Sequence, residues 1–271
     1  MSFLVTNEFS IRIAFFIGVF LILVGLEAIV PRKGRVLPRL QRWKTNLALV
    51  AITGVLLRFL APIMAVGMAS WAQVNNVGLL NWVHLPAGLA FLFAFVLLDM
   101  SIYFQHVLSH RVPVFWRFHR VHHADRDVDV TTGVRFHPVE MLLSMLYKLA
   151  CVTVIGPSVL AVIVFEIVLN ASAMFNHANI RLPRQFDHFL RKWLVTPDFH
   201  RVHHSVVSTE TDSNFGFFLS IWDRLFGTCI EQPQKGHSAM LIGLAEYQTE
   251  CPSRLSWSLA MPFYTPRLKK G

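Results

Sequence analysis

The chain has 271 residues, of which 54% are hydrophobic and only 15% are charged. A soluble domain carries about a quarter charged residues, so this composition argues against a soluble globular protein and indicates a multi-span membrane protein. The formal charge of +9 is a weak indication of nucleic-acid binding. Because the basic residues fall in loops beside apolar segments, we predict no nucleic-acid partner. The cysteines form no C-x-x-C pair and predict neither a disulfide framework nor a zinc ribbon.

Three apolar segments precede the first histidine cluster. Residues 11–30 are long enough to cross a bilayer and have no signal-peptide cleavage pattern, so they predict a retained first span. Residues 46–69 and 85–104 predict the second and third spans. Arg58, within the second, is expected to face the bundle interior or to reach toward the interface. His84 is expected at the interface. The loop between the first two spans carries six positive charges: Arg32, Lys33, Arg35, Arg39, Arg42 and Lys44.

Basic loops mark the cytoplasmic side of a membrane, so this loop is predicted to be cytoplasmic and the N-terminus to lie outside. A fourth apolar region, residues 141–173, is interrupted by Gly156-Pro157 and predicts a helical hairpin whose two short segments either cross the membrane or dip into it. Both ends of a hairpin lie on one side. The chain is therefore predicted to be a single all-α domain over residues 1–271, with about three full spans, a hairpin and a cytoplasmic histidine-rich cap. In a bacterium the membrane would be the inner or plasma membrane. The tail after Pro252 is expected to lie on the membrane surface.

The phrase Phe-His-Arg-Val-His-His occurs twice, at residues 118–123 and 199–204. In a helix each copy gathers its histidines within an arc of ~100°. Pro113 can open the helix of the first copy, and Thr196-Pro197-Asp198 reads as the start of the helix of the second. Two further histidines stand at i, i+4 near the end of the third span, and another follows the hairpin. The predicted metal ligands are His106, His110, His119, His122, His123, His177, His200, His203 and His204.

These imidazoles are too many for one metal and fit two. A single H-x3-H pair is more often a surface pair, but three histidine groups on one predicted membrane face indicate a metal site. His137 precedes a proline and is expected to cap the next helix. His188 and His237 are isolated and are expected to be structural. Asp99, two turns before His106, is predicted to accept a hydrogen bond from a ligand's second ring nitrogen.

Imidazole suits iron, zinc, copper and nickel. The sequence has no H-E-x-x-H pattern, and histidines clustered at the ends of spans do not match paired haem ligands. Neutral ligands beside the acyl-chain region favour two irons that activate O2 on a lipid. Two other functions remain open: a zinc-dependent membrane hydrolase and a metal-transport protein, each using the same histidines. A transporter is expected to place its ligands at the bilayer midplane. A scaffold with vestigial histidines is a third, disfavoured reading.

The pattern resembles the fatty acid hydroxylase superfamily, a membrane di-iron group that includes sterol desaturases and alkylglycerol monooxygenase. The resemblance runs from about residue 99 to 228, and its closing segments look most like the alkylglycerol monooxygenase branch. Some members pair a second histidine four residues before the His177 position, where this chain has Ala173. The resemblance is carried by Asp99 with His106-x3-His110, Trp116-x2-His119-x2-His122-His123, Arg135-x-His137-Pro138-x-Glu140, His177, Thr196-Pro197-x2-His200-x2-His203-His204, Asn214-Phe215-Gly216, and Trp222-Asp223-Arg224-Leu225-Phe226-Gly227-Thr228.

The resemblance implies an O2-dependent non-haem di-iron hydroxylase or desaturase of a fatty acyl, alkyl ether or sterol-like lipid, with zinc able to replace iron in a purified sample. The sequence has no dinucleotide fingerprint, haem motif or ferredoxin cysteines. Electrons are therefore expected from a separate protein, either cytochrome b5-like or a ferredoxin with its reductase. His137 or Asp212 could add a ligand, and Arg135 and Glu140 could instead form a salt bridge. The residues expected to support the ligands are Asp99, Arg135, Glu140, Asp198, Asn214 and Asp223.

Overall fold

The computed structural model describes residues 6–60 and 64–264. Within them the chain is helical, with isolated β-bridges and no β-strand, which confirms the all-α prediction for these residues. Short 3-10 turns lie at Thr132–Val134, Ala245–Tyr247, Cys251–Ser253 and Met261–Phe263. The helices are α1 (Glu8–Ile29), α2 (Arg39–Leu60), α3 (Ala65–Val74), α4 (Leu79–Trp82), α5 (Ala87–Arg111), α6 (Pro113–His123), α7 (Pro138–Ile155), α8 (Val159–His177), α9 (Arg184–Leu190), α10 (Pro197–His203), α11 (Ser208–Thr211), α12 (Ile221–Leu225), α13 (Gly236–Ala239) and α14 (Leu255–Ala260).

Several of these helices suit a membrane. Five candidate spans are long and apolar enough to cross one: Glu8–Ile29, Ala87–Arg111, Pro138–Ile155, Val159–His177, and Arg39–Trp82, which covers α2 to α4 and runs across residues 61–63 outside the described part. The first exposes large apolar side chains such as Phe9, Phe15 and Ile29. Water would solvate such a surface poorly and lipid chains would cover it. The prediction of a multi-pass protein is confirmed in this form, whereas the sidedness of the spans stays a prediction.

The predicted second span differs from the structure. Helix α2 already begins at Arg39, so the prediction that Arg39, Arg42 and Lys44 lie in a loop is wrong. The helix continues because Arg42 is buried against carboxylates that hold it there. Helix α2 ends at Leu60, α3 begins at Ala65, and residues 61–63 lie outside the described part. Arg58 is exposed near the end of α2, which matches an arginine reaching toward the interface rather than the bundle interior.

The predicted hairpin is formed by α7 and α8. Gly156 ends α7 with φ of +66°, a conformation that glycine adopts without strain, and the Ser158 hydroxyl accepts a hydrogen bond from the Ala161 amide at the start of α8. Both helices pack against α3 and α5. Leu98, Val152 and Phe165 belong to the apolar core at this contact. The hairpin is thereby seated among the spanning helices.

Buried charges tie the helices together. Glu166 on α8 accepts Lys148 at 2.8 Å and pairs with Arg12 at 3.0 Å, which joins α8 to α7 and α1. Arg42 on α2 contacts Asp125 and Asp129 at 2.7 Å. A buried charge is costly without a partner. The Glu166 pairs therefore join α1, α7 and α8 to one another, and the Arg42 pairs fix α2 to the segment that follows α6.

We call residues 112–137 and 178–264, which connect or follow the spanning helices, the cap. Its last described part, residues 252–264, packs on α2 and α6. That the tail lies on a membrane surface stays a prediction, and residues 265–271 lie outside the described part. The Thr45 hydroxyl donates to the Ser253 carbonyl at 2.6 Å, and Arg120 donates to the carbonyl of Met261 at 2.9 Å. Ser258 and Met261 are buried. The tail closes the cap because its carbonyls and small side chains satisfy groups on those helices.

Candidate metal centre

The predicted ligands stand at helix ends that face one another. His106 and His110 lie in the last turns of α5, and His177 is the last residue of α8. Helices α6 and α10 carry the two copies of the repeated phrase. As predicted, Pro113 opens α6 and Pro197 opens α10, with the Thr196 hydroxyl accepting from the amide of Phe199 at 3.4 Å.

Within the described residues the structure brings all of the predicted ligands together in two sets, and no other residue joins them. In each set, one ligand atom of every residue lies within 4.8 Å of those of the others. The copies of the repeated phrase do not map one to a set, since His122 is separated from its neighbours His119 and His123. The five-histidine group is His106, His110, His119, His123 and His203, and the four-histidine group is His122, His177, His200 and His204.

The four-histidine group has a geometry that calls for a cation. The Nε2 atom of His177 lies 3.1 Å from the Nε2 atoms of His122, His200 and His204. His177 Nδ1 lies 2.6 Å from the Ala173 carbonyl, and His122 Nδ1 lies 3.2 Å from the carbonyl of Arg135. A neutral imidazole donates from the nitrogen that faces a carbonyl and presents a lone pair on the other.

It follows that His177 and His122 direct two lone pairs at each other across 3.1 Å. A proton can relieve only one such contact at a time, and charging these buried rings would be costly. A metal ion at the centre accepts all of the lone pairs at once. The residues of this group therefore fit a metal.

The imidazole rings of the five-histidine group are oriented in the same way. Nδ1 of His106 lies 2.8 Å from the Phe215 carbonyl, and Nδ1 of His203 lies 2.7 Å from that of Ser213. His119 uses Nδ1 on Glu140 at 2.5 Å. The Nε2 atoms of these three rings are buried without a partner among the described residues. Metal-binding histidines are held in this way, with one nitrogen on an oxygen acceptor and the other free for the metal.

Burial favours the neutral form of five ligand histidines in the cap. Desolvation, followed by the neighbouring imidazoles, lowers the pKa of His122, His123, His200, His203 and His204 well below its ordinary value. Neutral imidazole is the form that binds metals. The protein therefore presents these rings ready for a metal at neutral pH.

Among the predicted supporting residues, Glu140 binds a histidine directly, whereas Arg135 does so only through its backbone. The Arg135 guanidinium donates to the carbonyls of Val121 at 2.9 Å and Pro252 at 2.8 Å. The alternative of an Arg135–Glu140 salt bridge is therefore wrong, since Glu140 is engaged by His119. The guanidinium ties α6 to the tail and so holds the helix that carries three histidines.

Asp99 does not orient a histidine as predicted. Its carboxylate accepts hydrogen bonds from Trp222 Nε1 at 2.8 Å and the Leu219 amide at 3.2 Å, because these donors lie between it and the histidines. From the other side, Asp223 accepts from the amides of Phe215 at 2.7 Å and Gly216 at 2.8 Å. Burial raises the pKa of Asp223 to about 6. Asp99 and Asp223 thus hold the loop of residues 213–219, which supplies acceptors to the histidines.

Asn214 occupies that loop with φ of +52°, and its side-chain amide donates to the carbonyls of Phe199 at 2.8 Å and Ile230 at 2.9 Å. Asp198, by contrast, pairs with Arg32 at 2.8 Å and supports the start of α10 without contacting the ligand nitrogens. Burial opposes ionisation of Asp198, but the hydrogen bond from Arg32 and the electrostatic effects of His237, Arg32 and Arg201 hold its pKa below its ordinary value.

The remaining histidines behave as expected. His137 accepts from the Val139 amide at the start of α7 and faces the Leu259 carbonyl at 3.2 Å, so it caps a helix and joins neither group. His188 is exposed, and His237 is buried 3.8 Å from Asp198. Asp212 lies 3.2 Å from His110 Nδ1, where it orients that ring rather than adding a ligand.

Sequence reasoning missed the backbone acceptors, namely the carbonyls of Ala173, Arg135, Ser213 and Phe215. A carbonyl carries no side-chain signal. The motif Asn214-Phe215-Gly216, beside Ser213, is the available indication of two of these carbonyls. A second missed contact is the ring of Phe136, which stacks on His122 with centroids 4.7 Å apart.

Span-length apolar helices and two histidine groups are features of a multi-pass membrane protein with a candidate metal centre. Residues 91–228 match the family model for fatty acid hydroxylase, about half of the chain, so the protein belongs to the fatty acid hydroxylase family, as the motifs predicted. It is 29% identical over 147 residues to alkylglycerol monooxygenase of Xenopus tropicalis. It is also 28% identical over 149 residues to ornithine lipid hydroxylase OlsE of Rhizobium tropici, and 27% identical over 170 residues to human cholesterol 25-hydroxylase.

These alignments cover 52%, 55% and 57% of this chain, respectively. They span only 30%, 44% and 61% of the relatives. No solved structure matches the chain.

Proposed function

We propose that this protein is a membrane oxidoreductase that uses O2 to hydroxylate or desaturate a lipid at two irons held by the nine histidines. The observation that carries the proposal is the set of imidazole lone pairs that face one another 3.1 Å apart in the four-histidine group. The family supports iron and lipid chemistry, since its relatives act on lipids according to their names: an alkylglycerol, an ornithine lipid and cholesterol.

The five-histidine group would hold one iron and the four-histidine group the other. Bound irons would supply the reducing electrons and the oxidising power that an unactivated C–H bond requires. The chain's own part is to place the ligands and to exclude water. Glu140 holds the Nδ1 proton of His119, and the carbonyls of Phe215 and Ser213 do so for His106 and His203. Each Nε2 lone pair is thereby turned inward.

The described residues hold each group in surroundings that exclude bulk water. His177, His200 and His204 are at most 1% exposed. Low exposure strengthens ligand electrostatics and protects reactive species from side reactions. We further propose that the cap is cytoplasmic, that the N-terminus lies outside, and that electrons arrive from a separate cytochrome b5-like or ferredoxin-type protein. In a bacterium the membrane would be the inner or plasma membrane.

The test is metal content and O2-dependent product. We expect about two irons per chain in protein purified from iron-replete cells, and loss of iron in His122→Ala and His203→Ala. His188→Ala is the matched control, because this histidine is exposed and outside both groups. Lipid extracts from cells with and without the gene should differ by a hydroxylated or desaturated lipid that needs O2. Retention of iron in both ligand variants would contradict the proposal.

A zinc-dependent hydrolase is the second candidate. Two-metal hydrolases are usually built around a bridging carboxylate, whereas both groups consist of histidine alone within residues 6–60 and 64–264. A metal transporter is disfavoured because the ligands lie at the ends of α5 and α8 rather than midway along them. A lipid cleavage product formed without O2 by the zinc-loaded protein would favour the hydrolase.

A further inference from the structure

Helix α9, which follows the last candidate span, has its polar and apolar sides reversed. Asp187 and Arg191, a charged pair on successive turns, are buried and joined to each other. Phe186 and Phe189 are exposed instead, Phe189 by 63%. A helix at a surface that faces water turns its apolar side chains inward and its charges outward. The pattern of α9 is the opposite of the one that water favours.

The turn after α9 extends its apolar side. The Arg191 amide donates to the Asp187 carbonyl, and the Leu194 amide donates to the Leu190 carbonyl, both at 2.9 Å. Helical geometry therefore continues past Trp193, which is 61% exposed. At ~100° per residue, positions 186, 189 and 193 fall within an arc of ~60°. We call Phe186, Phe189 and Trp193 the aromatic face of α9.

Basic side chains occupy a different side of the same segment. Arg184, His188 and Lys192 are exposed and stand at intervals of four residues, and we call them the basic face. Its centre lies ~130° around the helix from that of the aromatic face. On the remaining side, the Arg191 guanidinium donates to the Glu231 carbonyl at 2.9 Å and so attaches α9 to the cap. Helices that lie in a membrane interface have this division into an aromatic side and a basic side.

Helix α9 begins at the level where two candidate spans end. The chain leaves α8 at His177, and Ile180 forms a β-bridge with Pro31, which follows α1. The Arg181 amide also donates to the Val30 carbonyl at 2.9 Å. Both α1 and α8 are candidate spans, so the segment that leads into α9 is fastened beside their ends. Exposed aromatic side chains are typical of this level, where the lipid headgroups meet the hydrocarbon core.

The apolar surface continues from α9 to a spanning helix. The Ser220 amide, at the start of α12, donates to the Trp193 carbonyl at 3.0 Å, so α12 begins beside the end of α9. On α12, Leu225 is 68% exposed. The ring of Phe226 lies 5.1 Å from that of Phe104 on α5, measured between centroids. Phe104 is exposed on a candidate span. Lipid that covers Phe104 would therefore also reach α12.

We propose that α9 and α12 rest in the surface of the bilayer that holds the spans. The aromatic face and Leu225 lie among the lipid chains, and the basic face lies at the phosphate groups. The reversed polarity of α9, its start beside the ends of α1 and α8, and the continuity with α5 all point to lipid as the occupant. This attachment goes beyond the proposed function, since it requires neither iron nor O2.

The test is the depth of nitroxide labels on the full chain in nanodiscs of phosphatidylcholine and phosphatidylglycerol. Each label is attached to a single cysteine in a background of Cys151→Ser, Cys229→Ser and Cys251→Ser. For Phe189→Cys we expect a depth of about 5–10 Å below the headgroups, so relaxation by O2, which concentrates in the acyl region, should exceed relaxation by a water-soluble nickel chelate. Arg184→Cys is the matched control on the basic face of the same helix, where the nickel effect should be the larger one.

Leu225→Cys on α12 provides a second reporter if Phe189→Cys fails to fold, as judged by thermal unfolding, and its label should also respond more to O2. Glu246→Cys, exposed elsewhere in the cap, defines the value for water. Labels at 189 and 225 that respond to nickel as strongly as Glu246→Cys would overturn the proposal. Spin–spin broadening at 189 that disappears on dilution with unlabelled chain would also overturn it, because a second copy would then cover this face.

Discussion

The two histidine groups have the same ligand chemistry in different surroundings. In the five-histidine group, carboxylates stand behind two rings: Glu140 behind His119, and Asp212 behind His110. In the four-histidine group, Nδ1 of His177 faces the carbonyl of Ala173 and Nδ1 of His122 faces that of Arg135. A carboxylate makes its imidazole a stronger base than a carbonyl does. The two metal positions are therefore expected to be electronically unequal.

Access differs as well. Glu140 also lines a small groove between α5, α6 and α7, so the surroundings of the five-histidine group include an opening. The four-histidine group is packed against Phe136, which stacks on His122, and lies at the end of α8. Four experiments test this difference.

The largest effect is expected from His177→Ala. Its Nε2 is the nitrogen that lies 3.1 Å from three others, so its loss opens the four-histidine group. Iron should fall from about two to about one per chain, and O2-dependent product should fall by at least roughly 100-fold, beyond what loss of a supporting residue costs. Elemental analysis and product formation measure both, with His188→Ala as control. Retention of two irons would contradict the assignment.

Glu140→Gln should have the next largest effect. The amide cannot hold the Nδ1 proton of His119 as a carboxylate does, so metal affinity or activity should fall by roughly 10–100-fold. Because Glu140 contacts a histidine of the five-histidine group and none of the other group, iron should be lost from one position. The exposed Glu246→Gln is the control. Equal iron affinity and activity in both variants would remove the distinction between the groups.

Gly133→Ala tests whether the Ala173 carbonyl supports the four-histidine group. A Cβ at this position would lie 2.8 Å from the carbonyl carbon of Ala173 and closer still to its oxygen, which faces His177 Nδ1. Crowding of this kind costs about 1–3 kcal/mol. We expect a lower unfolding temperature and weaker iron binding by the four-histidine group. Gly54→Ala, which meets nothing within 4 Å, should change neither.

The last effect concerns pH and Asp223, which supports the loop behind the five-histidine group. Burial raises the pKa of Asp223 to about 6 in the folded protein, so its contribution to stability is present below about pH 4 and is lost as pH rises through about 6. The loss is about 3 kcal/mol. Asp223→Asn should remove this part of the pH dependence of unfolding. An unchanged slope between pH 4 and 7 would contradict it.

The sequence predicted what depends on local periodicity. The histidine spacings identified all members of both groups, and Thr196-Pro197 located the start of α10, because each rests on contacts within one helix turn. The division of the nine histidines into two groups could not be predicted from contacts within one helix turn. His122 joins His177, His200 and His204, which lie on α8 and at α10, far from it in the chain, and only tertiary packing brings them together.

The same limit applies to the supporting residues. Asp99 was placed on the correct helix face, but its partner is Trp222, more than a hundred residues later. Arg42 was assigned to a basic loop because charge alone was considered; its carboxylate partners Asp125 and Asp129 are distant in sequence. Backbone acceptors such as the Phe215 carbonyl cannot be predicted from residue type, because every residue has a carbonyl.

The loop of residues 213–219 has a consequence for biosynthesis. It holds acceptors for His106 and His203, yet it is fixed by Asp99 on α5 and by Asp223, which the Thr228 hydroxyl binds at 2.7 Å. A ribosome delivers the first ligand long before it delivers Thr228. The histidines are therefore complete as ligands only after α5 has entered the membrane and the chain beyond Thr228 has emerged. Metal loading is accordingly expected to follow insertion of the whole bundle.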